Sequence, residues 1–167
     1  MDSKKLSART KQPGHDVTYR KSEMEFIRVA KHTLDPGKYK VVDHPRDLDD
    51  IFTDEEGSLG VVPEAAIINI KNGKRIFVEV KKQGPKGNAE ERAYKHHTVE
   101  FYRLLKTAFG YDYHPFITVF CENLATDRKY TLKIKNLIEK DNYVLWVSYD
   151  QNLLGRFLQE RCIKWLE

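Results

Sequence analysis

Residues 63–81, PEAAIINIKNGKRIFVEVK, decide how the chain folds. Two apolar runs, Ala65 to Ile70 and Arg75 to Val80, flank Lys71-Asn72-Gly73-Lys74. An Asn-Gly pair between two such runs is the strongest short-range signal of a β-hairpin. With Asn72 and Gly73 as the two turn residues, Glu64 faces Lys81 and Ala66 faces Glu79. Directly opposed residues of an antiparallel pair lie on one face, as do residues two apart in a strand. This register gathers Glu64, Glu79 and Lys81 on one face, near the open end of the hairpin. The diagonal pair Glu64 and Glu79 lies at roughly 7–8 Å between backbones, within reach of one bridging cation.

Two carboxylates and an ammonium together suit phosphodiester chemistry. Mg²⁺ is held by carboxylates and water, with positions left for a phosphate oxygen. Bound there, it stabilises developing charge and acidifies a water molecule. A neighbouring lysine orients that water and neutralises phosphate. The plainer reading of a Glu-x-Lys triplet is a surface ion-pair ladder, which is common and contributes little.

Outward from the hairpin, Ser22 and Glu25 form a capping box ahead of Met24, Ile27, Ala30 and Leu34 at helical spacing. Pro36-Gly37 stops that helix. Tyr39 to Val42 reads as extended, and Leu48, Ile51 and Phe52 as a short helix. After the hairpin, a long helix is expected between Asn88, as N-cap, and Gly110, as stop, with Ala93, His97, Phe101, Leu104, Leu105 and Ala108 as its apolar stripe. Strands are expected at Phe116–Cys121 and Tyr143–Ser148, with a weaker one at Tyr130–Ile134. A last helix runs from about Asn152 to Leu166.

Pro63-Glu64 followed by Glu79-Val80-Lys81 resembles the PD-(D/E)xK nuclease motif. Gly87-Asn88-Ala89-Glu90-Glu91-Arg92, a short way beyond Lys81, is similar to the Gly-Asn-Ala-x-Glu-Arg stretch of the EcoRI/MunI-like type II restriction endonucleases. Tyr39 to Phe52, His114-Pro115-Phe116 with the strand to Glu122, and Asp141-Asn142-Tyr143 to Trp146 have counterparts in the same order on the MunI side of that family. The likeness covers roughly residues 22–167 and leaves out the basic segment 1–21, read as a solvated tail or a phosphate-contacting arm.

The resemblance implies an α/β restriction-endonuclease-like fold, a mixed central sheet flanked by helices. It implies a Mg²⁺-dependent homodimer that cuts both strands of palindromic double-stranded DNA containing AATT. Glu64 and Glu79 would be metal ligands, and Lys81 would stand beside the attacking water. Gly87, Asn88, Ala89, Glu91, Arg92 and Lys95 would form the DNA-reading segment, with Asn88, Ala89 and Arg92 as readers and Glu91 orienting an arginine. Asn suits adenine N6 and N7, and Arg offers a fork to purine acceptors. Glu64 stands where the family pattern has Asp, one methylene shorter, which leaves a DNA-binding protein with an inactive nuclease site as the rival reading. A structure-directed repair nuclease would share the metal site but not the reading segment.

Lesser candidates are Glu23 or Glu25 as outer metal contacts and Lys82, Lys86 and Lys95 along a phosphate path. His96-His97 reads as core-edge or surface histidines rather than a zinc site, because adjacent helical residues diverge. The chain has 167 residues, 40% hydrophobic and 32% charged, as in an ordinary globular domain. Its net charge of +4, from 29 basic against 25 acidic residues, permits a polyanionic partner without demanding one. No run of 18 apolar residues is present, so no membrane span is expected, and the N-terminus lacks the apolar core of a secretory signal. Cys121 and Cys162 read as reduced thiols, which points to the cytoplasm.

Overall fold

The computed structural model describes residues 13–83 and 87–167, with residues 13–19 described by their backbone alone. The hairpin forms between β4 (Ala65–Asn69) and β5 (Arg75–Lys81), but Ala65 pairs with Val78 and Ala66 with Phe77. The register is thus two residues from the expected one. Gly73 has φ +76°, but Asn72 is absent from the positive-φ residues, so the two-residue type I′ turn does not form. Instead Asn69 organises a four-residue loop. Its side-chain oxygen accepts from the amides of Lys71 at 2.9 Å and Asn72 at 3.3 Å. The side-chain amides of Asn69 and Asn72 both donate to the carbonyl of Leu166, at 2.9 and 2.8 Å. The turn is therefore docked on the far end of the chain. A shift of two residues preserves the alternation of faces, so Glu64, Glu79 and Lys81 keep the side the sequence assigned them.

The central sheet has the order β1-β4-β5-β6-β7. Strand β1 (Tyr39–Asp43) runs antiparallel to β4, while β6 (Phe116–Cys121) and β7 (Tyr143–Trp146) extend the other edge in parallel. A two-stranded ribbon, β2 (Thr53–Asp54) with β3 (Gly57–Ser58), stands apart. One face packs under α1 (Pro13–Thr33) and the C-terminal helices α7 (Gln151–Phe157) and α8 (Ile163–Leu166), which are joined by a π-helical turn. Phe26, Val29, Leu154 and Leu158 there meet Ile67, Val78, Ile117 and Trp146 in one core cluster.

The other face carries two separate apolar clusters. Leu48 of α2 (Asp47–Ile51) and Leu105 of α4 (Val99–Phe109) close over Ala66, Phe77 and Phe116. Ala93 of α3 (Ala89–Tyr94), Leu124 of α5 (Asn123–Thr126) and Ile134 of α6 (Arg128–Leu137) close over Phe120. By strand alternation, Glu79 and Thr118 lie on this same face, opposite one another across β5 and β6. They form a polar notch between the two apolar clusters.

Four expectations are corrected. Helix α1 begins at Pro13, so Ser22 is interior and bonds the Tyr149 hydroxyl at 2.8 Å rather than capping. Its buried stripe is Phe26, Val29 and Ala30, while Met24 is 61% exposed. The long helix from Asn88 to Gly110 is broken by a 3-10 turn, Lys95–His97, and by Thr98, whose hydroxyl caps α4 through the Phe101 amide at 3.1 Å. Residues Tyr130–Ile134 belong to α6, which Asp127 caps through the Lys129 amide. The strand at Tyr143 ends at Trp146, because Ser148 and Tyr149 take positive φ. The first twelve residues of the basic segment and Gly84 to Lys86 lie outside the described residues. Among the described residues no helix is long and apolar enough to cross a membrane.

Asn69→Ala should cost about 1–2 kcal/mol, because it removes both the acceptor that closes the turn and a donor to Leu166. Chemical denaturation checks this, and an unchanged midpoint would show that the turn does not depend on Asn69.

Candidate active site

Glu64 lies just before β4, where its backbone carbonyl accepts from the His44 amide at 3.0 Å. Its carboxyl reaches across the hairpin and accepts from the Val80 amide at 3.2 Å. Glu79 is 8% exposed, and Lys81 Nζ lies 3.8 Å from Glu79 Oε2. The three residues predicted from the hairpin are therefore neighbours. The lysine is partnered by Glu79, and Glu64 meets the backbone of β5 instead of Lys81.

The two carboxyls have been driven apart electrostatically. Burial, and then repulsion from Glu79, pushes Glu64 up to about 8 against the pull of Lys81. Burial also opposes ionisation of Glu79, but the contact with His96 and the charge of Lys81 outweigh it and hold Glu79 below its ordinary value. One carboxyl is thus neutral at pH 7 and the other charged. Ionising both calls for a cation between them. All the donors are oxygen, and a site with two carboxylates leaves the remaining positions to water, which suits Mg²⁺. Among the described residues no group of three or more His, Cys, Asp or Glu side chains is placed to hold a metal. Glu23 of α1 faces this region, its carboxyl raised by burial and acted on by His44, Asp43 and Lys81. Glu25 does not. It pairs with Arg28 on the surface, at 2.6 Å.

The reading segment presents Gly87, Asn88, Glu91, Arg92 and Lys95 to solvent, whereas Ala89 is turned inward. Asn88 occupies the N-cap position of α3 without a side-chain capping bond among the described residues. Glu90, given no role by the sequence reading, is 1% exposed. Its carboxylate lies 3.1 Å from Lys133 Nζ of α6, and its amide donates to Gln83 Oε1 at 3.0 Å. Ala89, Glu90 and Ala93 share the inward face of α3, and that spacing was the available signal. Lys82 is committed to Glu122, at 3.1 Å.

His96 is the site residue that the sequence reading missed. It is 7% exposed, and its Nδ1 lies 3.0 Å from Glu79 Oε2. The ring stacks on Phe116, with centroids 4.7 Å apart, and meets Phe101 edge-on. His97 turns elsewhere, placing Nε2 2.7 Å from Thr118 Oγ1. His114 Nε2 donates to the His96 carbonyl at 2.7 Å. No spacing rule pointed to His96, because its contact exists only where the helix breaks. A cleft lined by His97, Tyr102, Tyr113 and Asn142 contains none of Glu64, Glu79 and Lys81. The carboxylates lie outside it, Glu79 beneath the turn that follows α3.

Over residues 1–167 the chain matches the family model described as type II restriction enzyme MunI. Among solved structures it is similar to MunI restriction endonuclease in complex with cognate DNA. That likeness has 24% sequence identity and a TM-score of 0.59, covers 78% of this chain and 83% of the other, and speaks to the fold. No curated protein matches.

The histidine cluster makes the fold sensitive to acid. Burial, aided by the facing imidazoles of His114 and His96, pushes His97 down to about 3. Burial likewise pushes His114 down to about 4, against the bond to the His96 carbonyl. Both sit below the ordinary value of 6.5, so the unfolded chain takes up protons first. Their stabilisation is complete above about pH 6.5 and is lost as pH falls toward 4. Thermal melts should show a smaller loss between pH 7 and 5 for His114→Gln, which keeps a donor to His96, than for wild type. Equal losses would remove His114 from the acid response.

Proposed function

The chain belongs to the family of the type II restriction enzyme MunI and is a type II restriction endonuclease, and on that premise we propose how its residues divide the work. Glu64 and Glu79 hold Mg²⁺, Lys81 serves the attacking water, and the segment Gly87–Lys95 reads a palindrome containing AATT. One observation carries the reading: Glu64, Glu79 and Lys81 converge beside a helix whose exposed face carries Asn88, Glu91, Arg92 and Lys95.

Mg²⁺, when bound, supplies charge stabilisation at the phosphate and a more acidic water. The chain's own residues do the rest. Glu79, charged and fixed by His96 and Lys81, is the standing anionic ligand. Glu64, whose carboxyl is pushed up to about 8 by burial and by Glu79, would be the second ligand in its ionised form. Its extra methylene, compared with the family's Asp, lets the carboxyl span the hairpin to the Val80 amide. The Lys81 ammonium donates to water or phosphate oxygen and offsets the charge of the scissile group. Asn88, exposed at the N-cap of α3, offers an amide for adenine, and Arg92 a fork for purine acceptors. Ala89 packs inward and lets α3 lie close to the sheet, while Glu91 orients an arginine.

A palindrome is met most simply by a two-fold symmetric pair of subunits, so the active species on duplex DNA is a homodimer with one site per strand. Both cysteines are unpaired and buried, in keeping with work in the cytoplasm. The rival reading, a DNA-binding protein with a dead site, turns on Glu64 alone.

A plasmid digest with Mg²⁺, followed by sequencing of the ends, should give double-strand cuts within AATT-containing palindromes. Selective binding without cutting by wild type would select the rival, and cuts without a common sequence would favour a structure-directed nuclease. Glu79→Ala and Lys81→Ala should abolish cleavage while leaving the melting temperature near wild type. Cleavage at wild-type rates by either would remove that residue from the mechanism.

Arg92→Ala should collapse the preference for AATT over scrambled duplexes by about 1–3 kcal/mol per lost base contact. Removal of residues 1–12 should leave that preference unchanged and weaken all duplexes alike, with a flatter salt dependence. Full preference in Arg92→Ala would reassign the reading segment.

A further inference from the structure

The segment that follows the reading helix is bound to the catalytic strand by side chains and backbone alike. Lys95–His97 turn over the polar notch of the sheet, where Glu79 and Thr118 stand opposite each other. His96 places Nδ1 at 3.0 Å from Glu79 Oε2, an ion-pair distance, and among the described residues both atoms are buried without a hydrogen-bond partner. Phe116 and Phe101 fix the plane of the His96 ring, and His114 Nε2 fixes its carbonyl. His97 fixes the next residue to Thr118. At the other end of α3, Glu90 is held by Lys133 and by Gln83, two residues beyond Lys81. Helix α3 is thus tied to the catalytic strand and its continuation at both ends, and one tie falls on a carboxylate oxygen of the active site.

We propose that His96 is a positioning residue. It holds the Glu79 carboxylate in the orientation a divalent cation requires, and so couples cation affinity to the placement of the reading helix. The proposal rests on the assignment of Glu79 as a metal ligand. A carboxylate with one oxygen steadied by an imidazole presents the other to the cation without first losing rotamer freedom. Partners of this kind beyond the metal's own ligands typically change metal affinity by about 10–100-fold when removed. Because α3 carries both the DNA-facing side chains and the anchor of His96, a duplex that seats α3 correctly steadies Glu79. By reciprocity, the cation must then favour the seated helix by the same factor.

The test uses fluorescence anisotropy of an AATT-containing and a scrambled duplex, titrated with Ca²⁺ alone, on wild type, His96→Phe, His96→Gln and Glu79→Ala. Phe fills the same space against Phe101 and Phe116 but cannot donate, whereas Gln retains a donor. For His96→Phe the half-saturating Ca²⁺ concentration on the AATT duplex should rise about tenfold or more. His96→Gln should recover most of that loss. The gap in Ca²⁺ affinity between the two duplexes should narrow in His96→Phe, while discrimination without divalent cation stays at the wild-type ratio. A parallel Mg²⁺ titration of cleavage should move the half-activating concentration more than the maximal rate. Wild-type titration by His96→Phe, with Glu79→Ala impaired, would overturn the proposal and leave the metal assignment standing. Wild-type titration by Glu79→Ala would overturn the metal assignment itself. If His96→Phe does not fold, His96→Leu compared with His96→Gln makes the same comparison.

Discussion

Glu79 is a carboxylate buried on a strand face where Phe77 precedes it, Thr118 lies opposite, and Phe116 and Phe120 lie diagonally across the register. An ionised carboxylate in such a place is expensive unless charged or hydrogen-bonding groups answer it. Lys81 supplies one answer from two residues along the same strand. The other must come from outside the sheet, and His96 brings it. An unbroken helix from Asn88 to Gly110 would lay an apolar stripe over this spot. The break at Lys95–Thr98 instead delivers two imidazoles to Glu79 and Thr118 and divides the apolar packing on that face into two clusters. The kink, the split core and the charge state of the site meet at this one buried carboxylate.

Helix α3 has a buried face and an exposed face. Ala89, Glu90 and Ala93 face the protein, and Glu90 is satisfied by Lys133 and Gln83. Asn88, Glu91, Arg92 and Lys95 are left outward, with their polar groups available to a partner. A short helix has little stability of its own. It is held by the pairing of buried Glu90 with half-exposed Lys133 and by the histidine ties at its end, so on the proposed reading the surface that would meet DNA is set by the protein's own contacts. Such preorganisation lowers the entropic cost of binding.

Much of this was legible in the chain. The strand–turn–strand signal at residues 63–81 located the sheet and put Glu64, Glu79 and Lys81 on one face, and Phe116–Cys121, the short helix at Leu48 and the last helix are present in the structure. The errors share a cause. Ser22 looked like a cap because Ser-x-x-Glu is a local pattern, yet the helix runs through it and its hydroxyl serves Tyr149. Tyr130–Ile134 looked extended from its β-prone residues, while the Asp127 cap and burial of Ile134 draw it into a helix. In each case a local preference yielded to packing, with a partner distant in sequence for Ser22 and the burial of Ile134 behind a nearby cap for Tyr130–Ile134.

The amino-acid order by itself determined what depends on spacing: which residues alternate onto one strand face, which helical positions turn outward, and which segment resembles a DNA-reading motif. The turn between β4 and β5 was beyond its reach, because Asn69 and Asn72 are satisfied by a carbonyl nearly a hundred residues away. So was the role of His96, which depends on where a helix breaks over a sheet. The two carboxyls likewise acquire their opposite charge states only on burial, one beside an imidazole and the other against its neighbour's charge. Alternation is a property of the backbone and survives any packing. Burial, the meeting of distant groups and the local dielectric exist only once the chain has closed on itself.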